Sequence, residues 1–226
     1  MATIQTKRAD VNGDGVVDTI YLTGEKEKPE DIFIRNIKLV IEDGRTQKRT
    51  VITFANNAGY NPRLFLGDFN KDNTDDILIS IDSGGSGGFG FYYIYSFVGD
   101  RAQLLFDNDG YNAKIKYDVI YKDGCKVQVY NYQFKKVYII DVRAKQKEIY
   151  SDIYDKNCSL LKPTSGFVPG LNNLYPLAGK TQDSYNLLAI ERVIGLYGAD
   201  TLGYLETILE WDGVRFIQRA ETLKIN

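Results

Sequence analysis

The chain has 226 residues, with 28 Lys and Arg against 30 Asp and Glu, a formal net charge of −2 and no histidine. The balanced charge argues against a nucleic-acid-binding domain, which usually carries a basic excess. A sequence without histidine excludes Ser-His-Asp and Cys-His nucleophile pairs, His-ligated zinc and imidazole acid–base catalysis.

The first half of the chain is predicted to form two similar groups of four short strands. The runs are rich in β-branched and aromatic residues and are bounded by Gly, Asp and Asn. The predicted strands of the first group are residues 3–9, 17–22, 34–42 and 49–54. Those of the second group are residues 63–67, 76–81, 91–97 and 102–106.

The second half is predicted to repeat this layout twice. Residues 113–154 contain four strand-like runs separated by turns at 122–124, 132–135 and 143–147. The last four strands are predicted near 174–177, 186–193, 203–211 and 214–223. Residues 184–194 are interpreted as a strand because they carry β-branched side chains and are followed by Gly195.

These patterns predict an all-β fold of about four four-stranded antiparallel meanders. Units of roughly 55 residues match propeller blades, so we expect a small β-propeller or an open propeller-like arc in a single domain. The predicted units are 1–57, 58–110, 111–154 and 172–226, with residues 155–171 as a linker.

Cys125 and Cys158 are expected to be free thiols. The N-terminal residues show no signal peptide, and no apolar run is long enough to span a membrane. We therefore expect a reducing, cytoplasmic location by default and no membrane insertion. Release from the cell, or deposition on a spore or cell surface, stays open as an alternative.

The residues that indicate chemistry form an acidic pattern, D-x-N-x-D-x-x-x-D, which starts at Asp10 and again 58 residues later at Asp68. Side chains at positions 1, 3, 5 and 9 and the carbonyl at position 7 supply oxygen donors alone, which favours Ca²⁺ over Mg²⁺ or Mn²⁺. The predicted ligands of the first site are Asp10, Asn12, Asp14, Val16 (carbonyl) and Asp18. Those of the second are Asp68, Asn70, Asp72, Thr74 (carbonyl) and Asp76.

Two other structures can carry an acidic pattern of this kind, an EF-hand and a surface turn without an ion. An EF-hand needs a bidentate Glu at position 12, but Tyr21 and Ile79 stand there, and strands rather than helices flank the loops. A single acidic run is also typical of a surface turn without an ion. Two copies in equivalent places favour calcium, because three carboxylates within nine residues repel one another unless a cation offsets them.

The acidic loops and their flanking strands resemble the FG-GAP/VCBS repeats, the blades of integrin-α-type propellers. Residues 64–97, LFLGDFNKDNTDDILISIDSGGSGGFGFYYIYSF, look like small leaderless bacterial VCBS-repeat proteins. The resemblance implies structural calcium in each loop. It covers roughly residues 3–106, with a degenerate copy near 172–224, where residues 179–185 replace the acidic loop.

A glycine-rich segment, residues 82–90, is a second candidate site. It contains a formal G-x-G-x-x-G, but a strand follows it instead of the helix that dinucleotide binding requires. One interpretation is a purely structural tight loop between two strands. The other is a functional surface, a rim formed together with residues 195–198, which a ligand or partner approaches. The candidate rim residues are Ser83, Gly85, Ser86, Gly87, Tyr92 and Tyr93.

The sequence therefore predicts a calcium-binding, non-catalytic interaction module with two Ca²⁺ sites and a protein or a surface glycan as its partner. One alternative is a carboxylate- or metal-dependent enzyme acting on glycans. Another is a structural component of a spore or cell-surface layer.

Overall fold

A computed structural model describes residues 2–85, 87–145, 149–179 and 184–225. Within these ranges the chain forms one eight-stranded and two four-stranded antiparallel sheets, which confirms the predicted all-β fold. The eight-stranded sheet consists of two four-stranded units, named sheet 1 and sheet 2. Sheet 1 contains β1 (Ala2–Ala9), β2 (Asp18–Glu25), β3 (Phe33–Glu42) and β4 (Arg49–Thr53). Sheet 2 contains β5 (Gly59–Gly67), β6 (Asp76–Asp82), β7 (Gly90–Ser96) and β8 (Gln103–Asp107).

A short helix, α1 (Asn108–Asn112), leads from sheet 2 into the second half of the chain. Sheet 3 contains β9 (Tyr117–Lys122), β10 (Lys126–Asn131), β11 (Lys136–Asp141) and β12 (Ser165–Gly166). Sheet 4 contains β13 (Leu171–Ala178), β14 (Tyr185–Ile194), β15 (Thr201–Trp211) and β16 (Phe216–Lys224). None of the described helices is long and apolar enough to cross a membrane.

Sheets 1 and 2 are joined edge to edge, because β3 pairs with β5 at Phe33–Tyr60 and Ile34–Gly59. Their strands also bury alternate side chains against each other, among them Ile20, Ile77 and Ile79. Leu78, which lies between Ile77 and Ile79 in the strand, points to the opposite face of sheet 2, where it packs with residues of sheet 4. Sheet 2 is therefore covered on both faces.

The order in which the sheets pack differs from their order in the chain. Sheet 4 covers sheet 2 through a cluster that includes Leu187 and Leu209, paired across β14 and β15. Further along the same strands, Val193 and Leu205 pack against sheet 3. One face of sheet 4 thus contacts sheet 2 at one end and sheet 3 at the other.

The fourth strand of sheet 3 is not where the sequence predicted it. Residues 149–154 form turns, in which the Tyr154 N–H donates to the Tyr150 carbonyl at 2.9 Å. Tyr150, Ile153 and Tyr154 are buried at a spacing that suits a helical turn and not a strand. The missing strand is β12, which comes from residues 155–171. Ser165–Gly166 of that segment pair with β9 in sheet 3, so the segment is more than the linker that the sequence predicted.

The expectation of two free thiols is also wrong, because Cys125 and Cys158 form a disulfide. The turn that carries Cys158 lies against the β9–β10 hairpin, where the Gly124 N–H donates to the Cys158 carbonyl at 2.8 Å. The Leu160 N–H donates to Asp123 Oδ1, also at 2.8 Å. The two cysteines are 33 residues apart in the chain, so this proximity exists only in the folded protein.

Candidate metal-binding loops

The two acidic patterns occupy the same place in their sheets. Loop 1 (residues 10–18) joins β1 to β2, and loop 2 (residues 68–76) joins β5 to β6. In each case the aspartate at position 9, Asp18 or Asp76, is the first residue of the following strand. The repeat inferred from the sequence therefore corresponds to a structural repeat.

In loop 1, the carboxylate of Asp10 accepts hydrogen bonds from three backbone N–H groups of the loop. The donors are the N–H groups of Gly13 at 2.8 Å, Asp14 at 3.2 Å and Gly15 at 2.7 Å. Asn12 Oδ1 accepts a further bond from the Asp14 N–H at 3.0 Å. The side chains at positions 1 and 3 thus fix the path of the loop.

Loop 2 repeats these bonds with different residues. Asp68 accepts from the N–H groups of Lys71 at 2.6 Å, Asp72 at 3.2 Å and Asn73 at 3.0 Å. Asn70 Oδ1 accepts from the Asp72 N–H at 3.0 Å. The residues at positions 4 and 6 differ between the two loops, whereas positions 1 and 3 are Asp and Asn in both. The shared conformation is therefore set by the acceptors at positions 1 and 3.

Positions 4 and 6 of both loops have left-handed backbone angles. Gly13 and Gly15 have φ of 78° and 84°, and Lys71 and Asn73 have φ of 66° each. Gly15 and Asn73 at position 6 are residue types that tolerate a positive φ. Position 4 was not predicted, because a lysine there gives no sign of a left-handed conformation.

The carboxylate at position 9 of loop 1 is buried and holds two separate segments. Asp18 Oδ2 accepts from the Val11 N–H at 3.0 Å, and its Oδ1 accepts from the Gly44 N–H at 2.8 Å. Asp18 thereby ties loop 1 to the β3–β4 turn. Asp18 and Gly44 are far apart in the chain, so this contact could not be predicted from the sequence.

Asp76 of loop 2 is also buried, but it uses one oxygen for both of its bonds. Its Oδ2 accepts from the N–H groups of Phe69 at 2.9 Å and Asn70 at 3.1 Å. Burial raises the pKa of Asp76 to about 7, and the negative charges of Asp72 and Asp68 add to the rise. The carboxylates of loop 2 therefore repel one another.

The loops differ in how the carboxylate at position 5 is paired. Asp14 Oδ2 accepts from Arg45 Nε at 2.6 Å, and the backbone carbonyl of Asp14 accepts from Arg45 Nη2 at 2.6 Å. In loop 2, Asp72 Oδ2 accepts from the neutral Asn70 Nδ2 at 2.9 Å. A cationic side chain thus offsets part of the negative charge in loop 1.

The predicted ligands can be compared with the needs of a metal ion. Across the described residues, no three acidic or cysteine side chains are already arranged to hold one. The carboxylates at positions 1, 5 and 9 accept backbone N–H groups, including those of Val16 and Thr74. The donor set nevertheless fits Ca²⁺ in its chemistry, because each loop offers only oxygen ligands.

The two loops face each other across a polar cleft of about 720 Å³. A β-carbon on Gly13 would lie 3.7 Å from Thr74 Oγ1. Tyr185 lines the cleft too, and its N–H donates to the Asp68 carbonyl at 2.8 Å. The segment predicted to replace the acidic loop in sheet 4 therefore reaches loop 2, although residues 180–183 lie outside the described residues.

The Arg192 side chain bridges the glycine-rich segment and residues 195–198. Arg192 Nη1 donates to the Gly87 carbonyl at 3.5 Å, and its Nη2 donates to the Gly198 carbonyl. Asn172 Nδ2 donates to the Gly88 carbonyl. Ser83 and Gly85 lie in this segment, with Ser83 Oγ donating to the Phe89 carbonyl at 2.8 Å. Ser86 lies outside the described residues.

Tyr92 and Tyr93 do not belong to this rim, which corrects the sequence prediction. They are 2% and 5% exposed, because β7 is a central strand of a sheet covered on both faces. The Tyr92 hydroxyl donates to the Asn172 carbonyl at 3.0 Å, and the Tyr93 ring stacks on Phe54 at 4.9 Å. The aromatic side chain that is accessible beside the rim is Tyr197, at 51% exposure.

Comparison with known proteins identifies similarity to one family, named YybI. The model of the YybI C-terminal domain family matches residues 115–224, which span sheets 3 and 4. The uncharacterized protein YybI of Bacillus subtilis (strain 168) is 40% identical over 224 residues, covering 99% of this chain and 85% of the relative. No solved structure matches the chain.

Proposed function

The chain belongs to the YybI family, and we propose that it is a calcium-binding, non-catalytic interaction module with one structural Ca²⁺ in each acidic loop. The observation that carries the proposal is the common conformation of loops 1 and 2 at equivalent places in sheets 1 and 2. Their resemblance to FG-GAP/VCBS calcium loops agrees with it. The residues that would hold the ions are Asp10, Asn12, Asp14, Val16 and Asp18 in loop 1, and Asp68, Asn70, Asp72, Thr74 and Asp76 in loop 2.

The role of the metal is structural in this proposal. Each loop joins the first two strands of a sheet, and the two loops line one cleft. A bound cation offsets the repulsion among the carboxylates and so stabilises the folded arrangement. Binding to the native state alone contributes about 2.7 kcal/mol per site when free calcium is 100 times the dissociation constant.

The Cys125–Cys158 disulfide supports a working environment that is oxidising. Calcium modules outside the cell bind at about 10⁻⁴ to 10⁻³ M, so loops of this kind are occupied where calcium is plentiful. A location outside the reducing cytoplasm therefore reconciles the disulfide with the calcium sites. It replaces the cytoplasmic default that the sequence suggested.

The partner in this proposal is a protein or a surface glycan that approaches the rim formed by residues 82–90 and 195–198. Several features support this surface. Arg192 donates to both segments, Asn172 donates to the glycine-rich segment, Tyr197 is half exposed beside them, and the glycine-rich segment has few bulky side chains. An aromatic ring beside open backbone is suited to contact either a peptide or a sugar face.

The experiment is a thermal melt of the EDTA-treated protein, titrated with Ca²⁺ and separately with Mg²⁺. We expect a calcium-specific rise in Tm that is much smaller in the Asp14→Ala/Asp72→Ala variant. The matched control is Asp212→Ala, which removes an acceptor of two turn N–H groups, at 2.9 Å each, from a hairpin with no acidic loop. Its Tm should fall without losing the calcium response. A wild-type Tm that does not move at millimolar calcium contradicts the proposal.

A further inference from the structure

Two glutamates are buried in the protein interior, away from the acidic loops. Glu191 on β14 is 0% exposed and Glu221 on β16 is 5% exposed. Thr207 on β15 pairs in register with Glu221, and Leu205 with Glu191. The two carboxyl groups therefore lie on the same face of sheet 4, between its contacts with sheets 2 and 3.

Glu221 receives hydrogen bonds from three elements, all on one oxygen. Its Oε2 accepts from the Tyr117 hydroxyl at 2.7 Å, from Asn131 Nδ2 at 2.6 Å and from Thr207 Oγ1 at 3.3 Å. Its other oxygen, Oε1, is buried and has no hydrogen-bond partner among the described residues. Lys136 reaches the same place but donates to the backbone carbonyl of Glu221, at 3.1 Å.

Glu191 shows the same imbalance. Its Oε1 accepts a hydrogen bond from the hydroxyl of Tyr111 on α1, whereas its Oε2 is buried with no partner in the described part of the chain. The two carboxyl groups interact, since the charge of Glu221 adds to the effect of burial in raising the pKa of Glu191 to about 8. A buried carboxylate is costly unless it is paired, and here two share one interior region.

We propose that Glu191 and Glu221 form a third cation site, separate from the loops, and that it takes Ca²⁺. When both carboxyl groups are ionised they carry a charge of −2, which one divalent cation neutralises. Each brings an oxygen that is buried and without a protein partner. The hydroxyl groups of Tyr111, Tyr117 and Thr207 add further hard oxygen atoms nearby, and the site contains no sulfur or imidazole ligand.

The position of this site gives it a distinct structural role. Its residues come from α1, from sheet 3 and from sheet 4, so an ion there joins three parts of the fold at the seam between two apolar clusters. A cavity of about 170 Å³ borders the site, and Tyr111 and Gln218 are among its lining residues.

The test is the number of calcium ions bound per folded chain. The full-length protein is treated with EDTA, dialysed against millimolar Ca²⁺ and analysed by atomic emission. With the loops functioning as proposed, we expect three ions for the wild type, one for Asp14→Ala/Asp72→Ala and two for Glu191→Gln/Glu221→Gln. The matched control Glu206→Gln, a partly exposed glutamate on β15 that lies 3.9 Å from Lys224, should keep three.

The loop variant keeps the inference testable if the glutamate variant does not fold. A folded loop variant that binds no calcium overturns it, and so does a folded glutamate variant that binds as many ions as the wild type. Failure of the proposed loop sites gives a different pattern, in which wild type and loop variant both bind one ion. A second readout is tyrosine-sensitised Tb³⁺ emission from the loop variant, which should fall several-fold in Tyr111→Phe.

Discussion

Arg45 Nε lies 2.6 Å from Asp14 Oδ2, which places a guanidinium group against the carboxylate at position 5 of loop 1. Loop 2 has the amide of Asn70 at the corresponding place. A cation that binds loop 1 therefore competes with a positive side chain, whereas a cation that binds loop 2 does not. Two loops with the same backbone thus have different electrostatic environments.

The first prediction concerns this difference. Arg45→Gln should raise the calcium affinity of loop 1 by several-fold, because the variant removes a competing charge within hydrogen-bond distance of a ligand. Isothermal titration calorimetry in the Asp72→Ala/Glu191→Gln/Glu221→Gln background isolates the proposed site of loop 1. Arg49→Gln, which breaks a comparable 2.6 Å ion pair with Glu42 on the same hairpin, is the control and should leave the affinity unchanged. Equal effects of the two variants contradict the prediction.

The second prediction compares the two aspartates at position 9 in the absence of metal. Asp18→Asn should destabilise the protein by about 1–3 kcal/mol. Asparagine keeps only one acceptor oxygen, so either the Val11 N–H or the Gly44 N–H then meets the amide NH₂ group and loses its hydrogen bond. Asp76→Asn should cost less, since the single oxygen of asparagine can keep both bonds of Asp76 Oδ2 and the change removes a repelling charge. Urea denaturation in EDTA measures both free energies of unfolding, and the reverse order contradicts the assignment.

The third prediction concerns the disulfide. Reduction of Cys125–Cys158 should lower the free energy of unfolding by about 3–4 kcal/mol, the range expected for a crosslink that closes a loop of this length. Denaturant melts with and without reductant measure the change. Cys125→Ala/Cys158→Ala should be insensitive to reductant. If the wild type is insensitive as well, and mass spectrometry detects two free thiols, the disulfide is absent.

The fourth prediction concerns a buried aspartate in sheet 4. Asp200 accepts from the Tyr150 hydroxyl at 2.6 Å and from Lys145 Nζ at 3.0 Å. Burial alone raises the pKa of Asp200, but hydrogen bonds from Tyr150, the Leu196 N–H and Lys145 outweigh it and lower the pKa below its usual value. A lowered pKa stabilises the fold at pH values above the unfolded pKa, and this stability is lost as the pH falls through the folded pKa.

Asp200→Asn should therefore destabilise the protein at pH 7, and the difference from wild type should shrink as the pH falls below about 4. Thermal melts between pH 3 and 7 measure this difference. Asp212→Asn is the comparison: hydrogen bonds from the N–H groups of Arg215 and Val214 lower the pKa of Asp212 as well, but at an exposed hairpin, so its pH-dependent effect should be smaller. A difference between Asp200→Asn and wild type that does not change with pH contradicts the assignment.

Short-range patterns predicted the features that depend on neighbours in the chain. The strands around the acidic loops and the strand at 184–194 were predicted from residue type and spacing, and they are confirmed. The positions of the loops between strands followed from the same patterns. The internal repeat was visible because the acceptors at positions 1, 3, 5 and 9 act within nine residues.

The sequence by itself determined the all-β class, the four-fold repetition of strands and the placement of Asp10 and Asp68 at the start of equivalent loops. Only the tertiary structure decided what covers each strand. Tyr92 and Tyr93 look like candidates for a rim because alternation does not reveal that β7 is buried on both faces. Cys125–Cys158 and Glu191–Glu221 are pairs separated by about 30 residues in the chain. The glutamates are brought together by the pairing of β14, β15 and β16, and the cysteines by the turn that lies against the β9–β10 hairpin. Such contacts between distant segments leave no local pattern in the sequence.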